Sequence, residues 1–229
     1  MLLTTTIIGR FIASANVKTQ NSKSIAIPSP QFRRFLGFCL IIIVWFVLVL
    51  TGFLLLCDYS TRPGASAAVP TKWPENSTLP QVDGRQSLLF FIHPCCPCSM
   101  ASLNVFERIL VKTASSQDAT VVLTGGVEPN QKTRDWFQNW CQKRNVRLVW
   151  DFRREEAEIF HVKTSGQTIL YNKNGSLVFS GGITAGRGHA GDNPGQQDLQ
   201  AAIHVNGSDQ ATAKCHPLYG CSIWEETNE

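Results

Sequence analysis

The sequence predicts an α/β domain, a mixed sheet covered by helices on both faces and preceded by one transmembrane helix. Three observations lead there. Residues 35–57 form an uncharged, almost wholly apolar run; strand-like and helix-like segments alternate from residue 85; and an Asn-Gly turn joins two β-rich runs late in that alternation. A chain of 229 residues has room for one domain with a full core plus attached segments, so its eight cysteines are not needed as staples. Their density lies below that of disulfide-stapled mini-domains, and the sequence has neither a collagen-like period nor a low-complexity tract.

The first element is the apolar run. A helix gains about 1.5 Å per residue and the hydrocarbon core of a bilayer is about 30 Å thick, so residues 35–57 are long enough to span it. A core helix of that length would carry a polar stripe, and this run has none. Cys39 and Cys57 belong to it as packed or lipid-facing thiols. Residues 1–34 hold Arg10, Lys18, Lys23, Arg33 and Arg34 with no acidic residue. By the positive-inside bias this basic segment lies in the cytoplasm, and the rest of the chain lies outside a cytoplasmic (inner) membrane, in the periplasm or an equivalent space. A cleavable signal would have an apolar region of about 7–15 residues, so an uncleaved single-pass anchor is expected, although Ala65-Ser66-Ala67-Ala68 supplies small residues downstream. The net charge of +4 resides in that basic segment, leaving the remainder near neutral and excluding nucleic acid as a partner.

Residues 58–84, rich in Pro, Ser, Thr, Ala and Gly, read as a loose, partly extended linker in which Trp73 can pack back on the domain or touch the membrane surface. The domain proper is expected over residues 85–205. Within it, 87–92 form a buried strand, and 99–112 form a helix with Leu103, Phe106, Ile109 and Leu110 at helical spacing. Then come a strand at 120–123, a helix at 133–143 with Trp136, Phe137, Trp140 and Cys141 on one side, a strand at 146–150 and a short helix at 155–162. Strands 167–171 and 176–179, joined by Asn172-Lys173-Asn174-Gly175, make a hairpin. Residues 206–229 are polar and poorly periodic, which suggests a mobile tail carrying Cys215 and Cys221. In an oxidising compartment that pair most simply closes a small structural loop; it could instead relay electrons to the first motif or, with His216, complete a metal site.

The chemistry concentrates where the 87–92 strand runs into His93-Pro94-Cys95-Cys96-Pro97-Cys98 and the next helix begins. A thiolate at a helix N-terminus faces free N–H groups and the positive end of the dipole, which lower its pKa. Pro97 suits the first turn, where its missing donor costs nothing. Two pairings give dithiol exchange. Cys95 with Cys98 has the Cys-x-x-Cys spacing and is preferred, Cys95 attacking and Cys98 resolving; Cys96 with Cys98 closes a tighter, more oxidising ring. Three cysteines in four positions beside His93 also suit a soft metal, copper or zinc, held by Cys95, Cys96, Cys98 and His93.

The order strand, Cys95-Cys96-Pro97-Cys98, helix, then β-α-β-α-β-β over roughly residues 85–204 resembles the thioredoxin-like superfamily. Residues 164–171 and the run Phe179-Ser180-Gly181-Gly182-Ile183-Thr184-Ala185-Gly186-Arg187-Gly188-His189-Ala190-Gly191-Asp192-Asn193 are similar to its membrane-anchored RedB-like branch. The resemblance implies a thioredoxin-like mixed sheet flanked by helices and a tethered thiol–disulfide oxidoreductase outside the cytoplasm. It implies a protein or small-molecule thiol or disulfide partner, no cofactor, and a substrate-facing loop at Thr164, Ser165 and Gly166. Such proteins carry a cis-proline in that loop. This chain has none there, and a trans peptide is expected because a cis bond without proline costs about 2.5–4 kcal/mol.

Three functions fit these residues: a thiol–disulfide oxidoreductase, a copper or zinc binding and delivery module, and a thioredoxin-fold interaction domain without catalysis. The glycine-rich stretch 181–195 either brings Arg187, His189 and Asp192 to the dithiol as polar contributors, or is a solvated loop with an Asp cap before the last helix. It does not open a βαβ unit, so it is not a dinucleotide fingerprint.

Overall fold

A computed structural model of the protein describes residues 29–113, 117–126, 128–205 and 213–224. Arg10, Lys18 and Lys23, three of the five charges that orient the anchor, lie outside the described residues, as do 206–212 and 225–229 of the tail. The described residues fall into two units that part between residues 49 and 50.

Helix α1 (Pro30–Thr61) extends past both ends of the apolar run. The Ser29 hydroxyl accepts the Phe32 amide at its start, and Asp58 pairs with Arg62 at its end. None of its residues is buried, and its large apolar side chains are open on every side. Among the described residues it is the one helix long and apolar enough to cross a membrane.

The sheet has six strands in the order β3-β2-β1-β4-β5-β6. Strand β1 (Gln86–Ile92), buried at every position, sits between β2 (Gln117–Thr124), which is parallel to it, and β4 (Gln167–Tyr171), which is antiparallel. Strand β3 (Arg147–Asp151) adds in parallel outside β2, and β5 (Leu177–Gly181) in antiparallel outside β4. The last strand, β6 (Lys214–His216), adds in parallel to β5. Leu88 to Ile92 of β1 and Val121 to Leu123 of β2 are apolar on both faces because both faces are covered, which is why these strands read as runs and not as alternations. With α2 (Cys98–Lys112), α3 (Gln131–Lys143), α4 (Glu155–Ile159) and α5 (Pro194–His204) flanking it, this is the expected thioredoxin-like mixed sheet.

One face packs Leu88, Phe90 and Ile92 against Leu103, Phe106 and Ile109 of α2, Phe137 and Trp140 of α3, and Leu199 and Ile203 of α5. Phe90 and Phe106 stack with centroids 4.5 Å apart. Trp136 departs from the expected side of its helix: it is exposed and meets Phe137 edge-on, since residues one apart point about 100° from each other around a helix. Cys141 is the core thiol its neighbours suggested, and burial pushes it up to about 12.

The opposite face carries Leu89, Phe91, Val122, Ile169 and Tyr171, covered by Ala157, Phe160, Val69, Leu79 and Ile223. Two expectations are corrected here. The linker is not loose over its second half. Lys72 bridges to Ser176, Trp73 donates to the Gly175 carbonyl, and the Trp73 ring meets Phe160 and Tyr171 edge-on at 5.4 and 5.3 Å. The buried Glu156 carboxylate fastens it further, accepting from the Ser77 hydroxyl and from the amide and hydroxyl of Thr78. Likewise the described part of the tail, 213–224, is seated on the domain, with Leu218 and Ile223 buried. Isolated apolar residues in polar stretches carry no periodicity, but each finds an uncovered position on the sheet.

Candidate active site

Strand β1 delivers its C-terminal end, at the middle of the sheet, to the cysteine motif. Cys96 N–H donates to the His93 carbonyl and Ser99 N–H to the Cys96 carbonyl, two successive turns that lead into α2. Pro97 is the helix cap in right-handed geometry, and Cys98 is the first helical residue. His93 is buried; its Nδ1 accepts the Cys95 amide, and its own amide donates to the Ser165 hydroxyl. Gly125 leaves room for the edge of the imidazole at the end of β2, since a Cβ there would fall 2.7 Å from the ring. Burial lowers the His93 pKa, partly countered by the Cys96 thiolate.

The three cysteines of the motif differ sharply. Cys95 is exposed, Cys96 is 5% exposed and Cys98 is intermediate. A residue from the far end of the chain completes the cluster: Cys221 Sγ lies 2.7 Å from Cys96 Sγ. The contact with the Cys221 thiol holds Cys96 down at about 5 against the opposing effect of burial, helped by the Cys221 and Cys98 amides and the Ser99 hydroxyl. Cys98 is raised, first by burial and then by the Cys96 charge, while Arg187 and the Gly188 amide pull it down. Cys221 is raised, first by its contact with Cys96 and then by burial.

Of the remaining candidates, Arg187 reaches the cluster. It donates through Nη1 to the Gly220 carbonyl, lies 5.1 Å from the Tyr59 ring, and its own amide donates to Ser60. His189 and Asp192 are exposed on the same loop, with no described contact to the cysteines. The cap of α5 is Asn193, not Asp192: Asn193 Oδ1 accepts the Gln196 amide while its Nδ2 donates to Ile183. In the Thr164–Ser165–Gly166 loop every described peptide bond is trans. Ser165 Oγ lies 3.1 Å from Ser99 Oγ, Gly166 donates to Phe91, and Gly166 uses a φ of +91° that favours glycine. Cys215, exposed on β6, stands opposite Ser180, so Cys221 meets Cys96 and does not close the small loop expected with Cys215. Among the described residues no group of three or more His, Cys, Asp or Glu is arranged to hold a metal ion.

Ser99 is a site residue that the sequence did not suggest, although its place in the first turn of the helix is a local signal. Cys221 was expected only as half of a pair with Cys215, as a structural loop, a relay to the motif or part of a metal site, and its direct contact with Cys96 had no signal beyond residue type.

In the reduced protein, the thiolate absorbance that is missing from a Cys96→Ser variant should rise through about pH 5. In Cys221→Ala the donor is gone and burial remains, so the same rise should move up toward or past the ordinary thiol range of about 8.5. An unchanged titration in Cys221→Ala would detach the low value from Cys221.

No family model and no curated protein matches the sequence. Solved structures do. An uncharacterized conserved protein from Geobacillus kaustophilus is 12% identical, the match covering 74% of this chain and 95% of that one at a TM-score of 0.51. A hypothetical protein from Sinorhizobium meliloti is 19% identical, covering 73% and 97% at a TM-score of 0.50. StoA from Bacillus subtilis is 18% identical, covering 61% and 99% at a TM-score of 0.39. The first two are similar to this chain in fold.

Proposed function

We propose that the protein is a membrane-anchored thiol–disulfide oxidoreductase of the thioredoxin-like superfamily, on its RedB-like branch, acting on protein thiols or disulfides outside the cytoplasm. The observation that carries this reading is the placement of the Cys96 sulfur, one residue before the Pro97 cap of α2, with Cys221 Sγ 2.7 Å away and Cys98 opening the helix; its thiol is lowered from the ordinary value chiefly by the Cys221 contact. Apolar helix α1 supplies the anchor, and the basic residues before it favour a cytoplasmic N-terminus in the inner membrane.

The chemistry follows from the two unlike thiols. The Cys96 thiolate attacks one sulfur of a substrate disulfide; a Cys96–substrate bond forms, and the other substrate sulfur leaves as a thiolate and takes a proton. Forming that bond removes the Cys96 charge that helped keep Cys98 protonated, so Cys98 ionises more readily just when it is needed. Its thiolate then attacks Cys96 Sγ, releasing the second substrate sulfur and leaving a Cys96–Cys98 disulfide. Run backwards, the same steps oxidise a dithiol. The geometry favours Cys96 over Cys95 as the attacking sulfur, because the exposed Cys95 thiol has no described contact with the cluster.

The full chain in detergent should catalyse reduction of insulin disulfides by dithiothreitol, and freshly reduced protein should contain no stoichiometric copper or zinc. Absence of catalysis with a tightly held metal would establish the delivery module instead, and absence of both would leave an interaction domain.

A further inference from the structure

Residues 220–223 run antiparallel to 163–165. Thr164 bridges Ser222, the Ser165 amide donates to the Cys221 carbonyl at 2.9 Å, and the Ile223 amide donates to the Lys163 carbonyl at 3.1 Å. The strand is anchored on each side of Cys221. Upstream, Leu218 is buried and Gly220 lies so close to the Ser165 carbonyl that any Cβ would overlap it. Downstream, Ile223 is buried and Trp224 Nε1 donates to Val162, with Arg154 and Lys163 over its ring. Arg187 holds the Gly220 carbonyl. The result is an extended peptide added edge-on to a loop through main-chain bonds, with one cysteine in the middle whose sulfur touches Cys96. Main-chain pairing of this kind is how an extended polypeptide is recognised without regard to most of its side chains.

We infer that residues 218–224 are an internal strand that occupies the substrate-facing loop at Lys163–Ser165, and that Cys221 exchanges disulfides with Cys96. This deepens the oxidoreductase reading and rests on it. In the oxidised protein the Cys221 thiolate attacks Cys96 Sγ; the Cys96–Cys221 bond forms, the Cys96–Cys98 bond breaks, and Cys98 leaves as a thiolate that takes the proton Cys221 gave up. No electrons are gained or lost. The strand therefore stores the active sulfur as a disulfide away from solvent, and an incoming chain must displace it to react.

The test uses the full chain in detergent carrying Cys98→Ser. Glutathione disulfide is the oxidant: Cys96 displaces one glutathione thiolate, and Cys221 displaces the second. Peptide mapping should then recover a Cys96–Cys221 link. A stable Cys96–glutathione adduct, or a Cys215–Cys221 link, overturns the pairing. In a second arm, reduced Cys98→Ser and Cys98→Ser/Cys221→Ala/Gly220→Val are mixed with an unfolded peptide whose single cysteine is activated as a mixed disulfide. Gly220→Val removes the strand by overlap with Ser165. With the groove open about a tenth of the time when the strand is intact, the second variant should capture the peptide on Cys96 about tenfold faster. Equal capture rates overturn the blocking role of the strand. Insulin reduction by the unsubstituted chain separates the two levels: exchange without a Cys96–Cys221 link overturns this inference alone, and a link without exchange on any external disulfide overturns the oxidoreductase reading.

Discussion

Replacing Cys96 with Ser is expected to bring insulin reduction down to the uncatalysed rate, a loss of at least about a hundredfold for removal of a covalent nucleophile, while Cys95→Ser keeps most of the activity. The reason is the sulfur itself more than its acidity. At neutral pH a thiol titrating at about 5 is almost fully ionised, against roughly 3% for one at 8.5. Nucleophilicity falls with pKa, with a Brønsted slope of about 0.4–0.5, and that offsets essentially all of the roughly thirtyfold gain. What a low pKa retains is a good leaving group, so Cys96 parts easily from any disulfide it has formed. Serine offers neither property. The reverse pattern, with Cys95→Ser inactive and Cys96→Ser active, would return the attacking role to Cys95 and the Cys-x-x-Cys pairing.

A chain beginning at residue 85, the boundary expected from composition, should be less stable than one beginning at residue 62 by about 5 kcal/mol or more, summing losses of about 1.5–3 kcal/mol for each buried apolar side chain. The shorter chain uncovers Leu89, Phe91 and Tyr171 by removing Val69, Leu79 and the Trp73 ring. It also strips the Glu156 carboxylate of the Ser77 and Thr78 donors and leaves it at the edge of an apolar face. Since a whole domain is stable by only about 5–15 kcal/mol, the truncated chain should lose a third or more of its stability and unfold at clearly lower urea. Urea melts followed by tryptophan fluorescence would show it, and coincident midpoints would mean that residues 62–84 merely lie on the surface.

These two experiments mark where sequence reading succeeded and where it stopped. Elements whose signals are local were legible: β1 as an apolar run, α2 from the spacing of Leu103, Phe106 and Ile109, and the hairpin from Asn174-Gly175, where Gly175 takes the positive φ of +72°. The motif's place at a strand end and helix start was legible for the same reason. What stayed hidden depends on distance along the chain. Cys96 and Cys221 are 125 residues apart, and no periodicity links them. The second face of the sheet is covered by pieces of irregular chain around Val69, Leu79 and Ile223, each one apolar residue among polar ones. Sequence patterns report the face a regular element presents. They are silent about irregular chain that settles onto it.

The strand that closes the sheet has a bearing on how the protein behaves when crowded. β6 is only three residues long, begins with Lys214, and ties that lysine and His216 to Asp198 of α5. At the opposite rim, β3 starts with Arg147 paired to Asp118. Short margins furnished with charge offer little room for a neighbouring copy to zip on by backbone pairing. With α1 embedded in lipid, copies held in one plane would collide often, and rims of this kind would limit how readily they stick together.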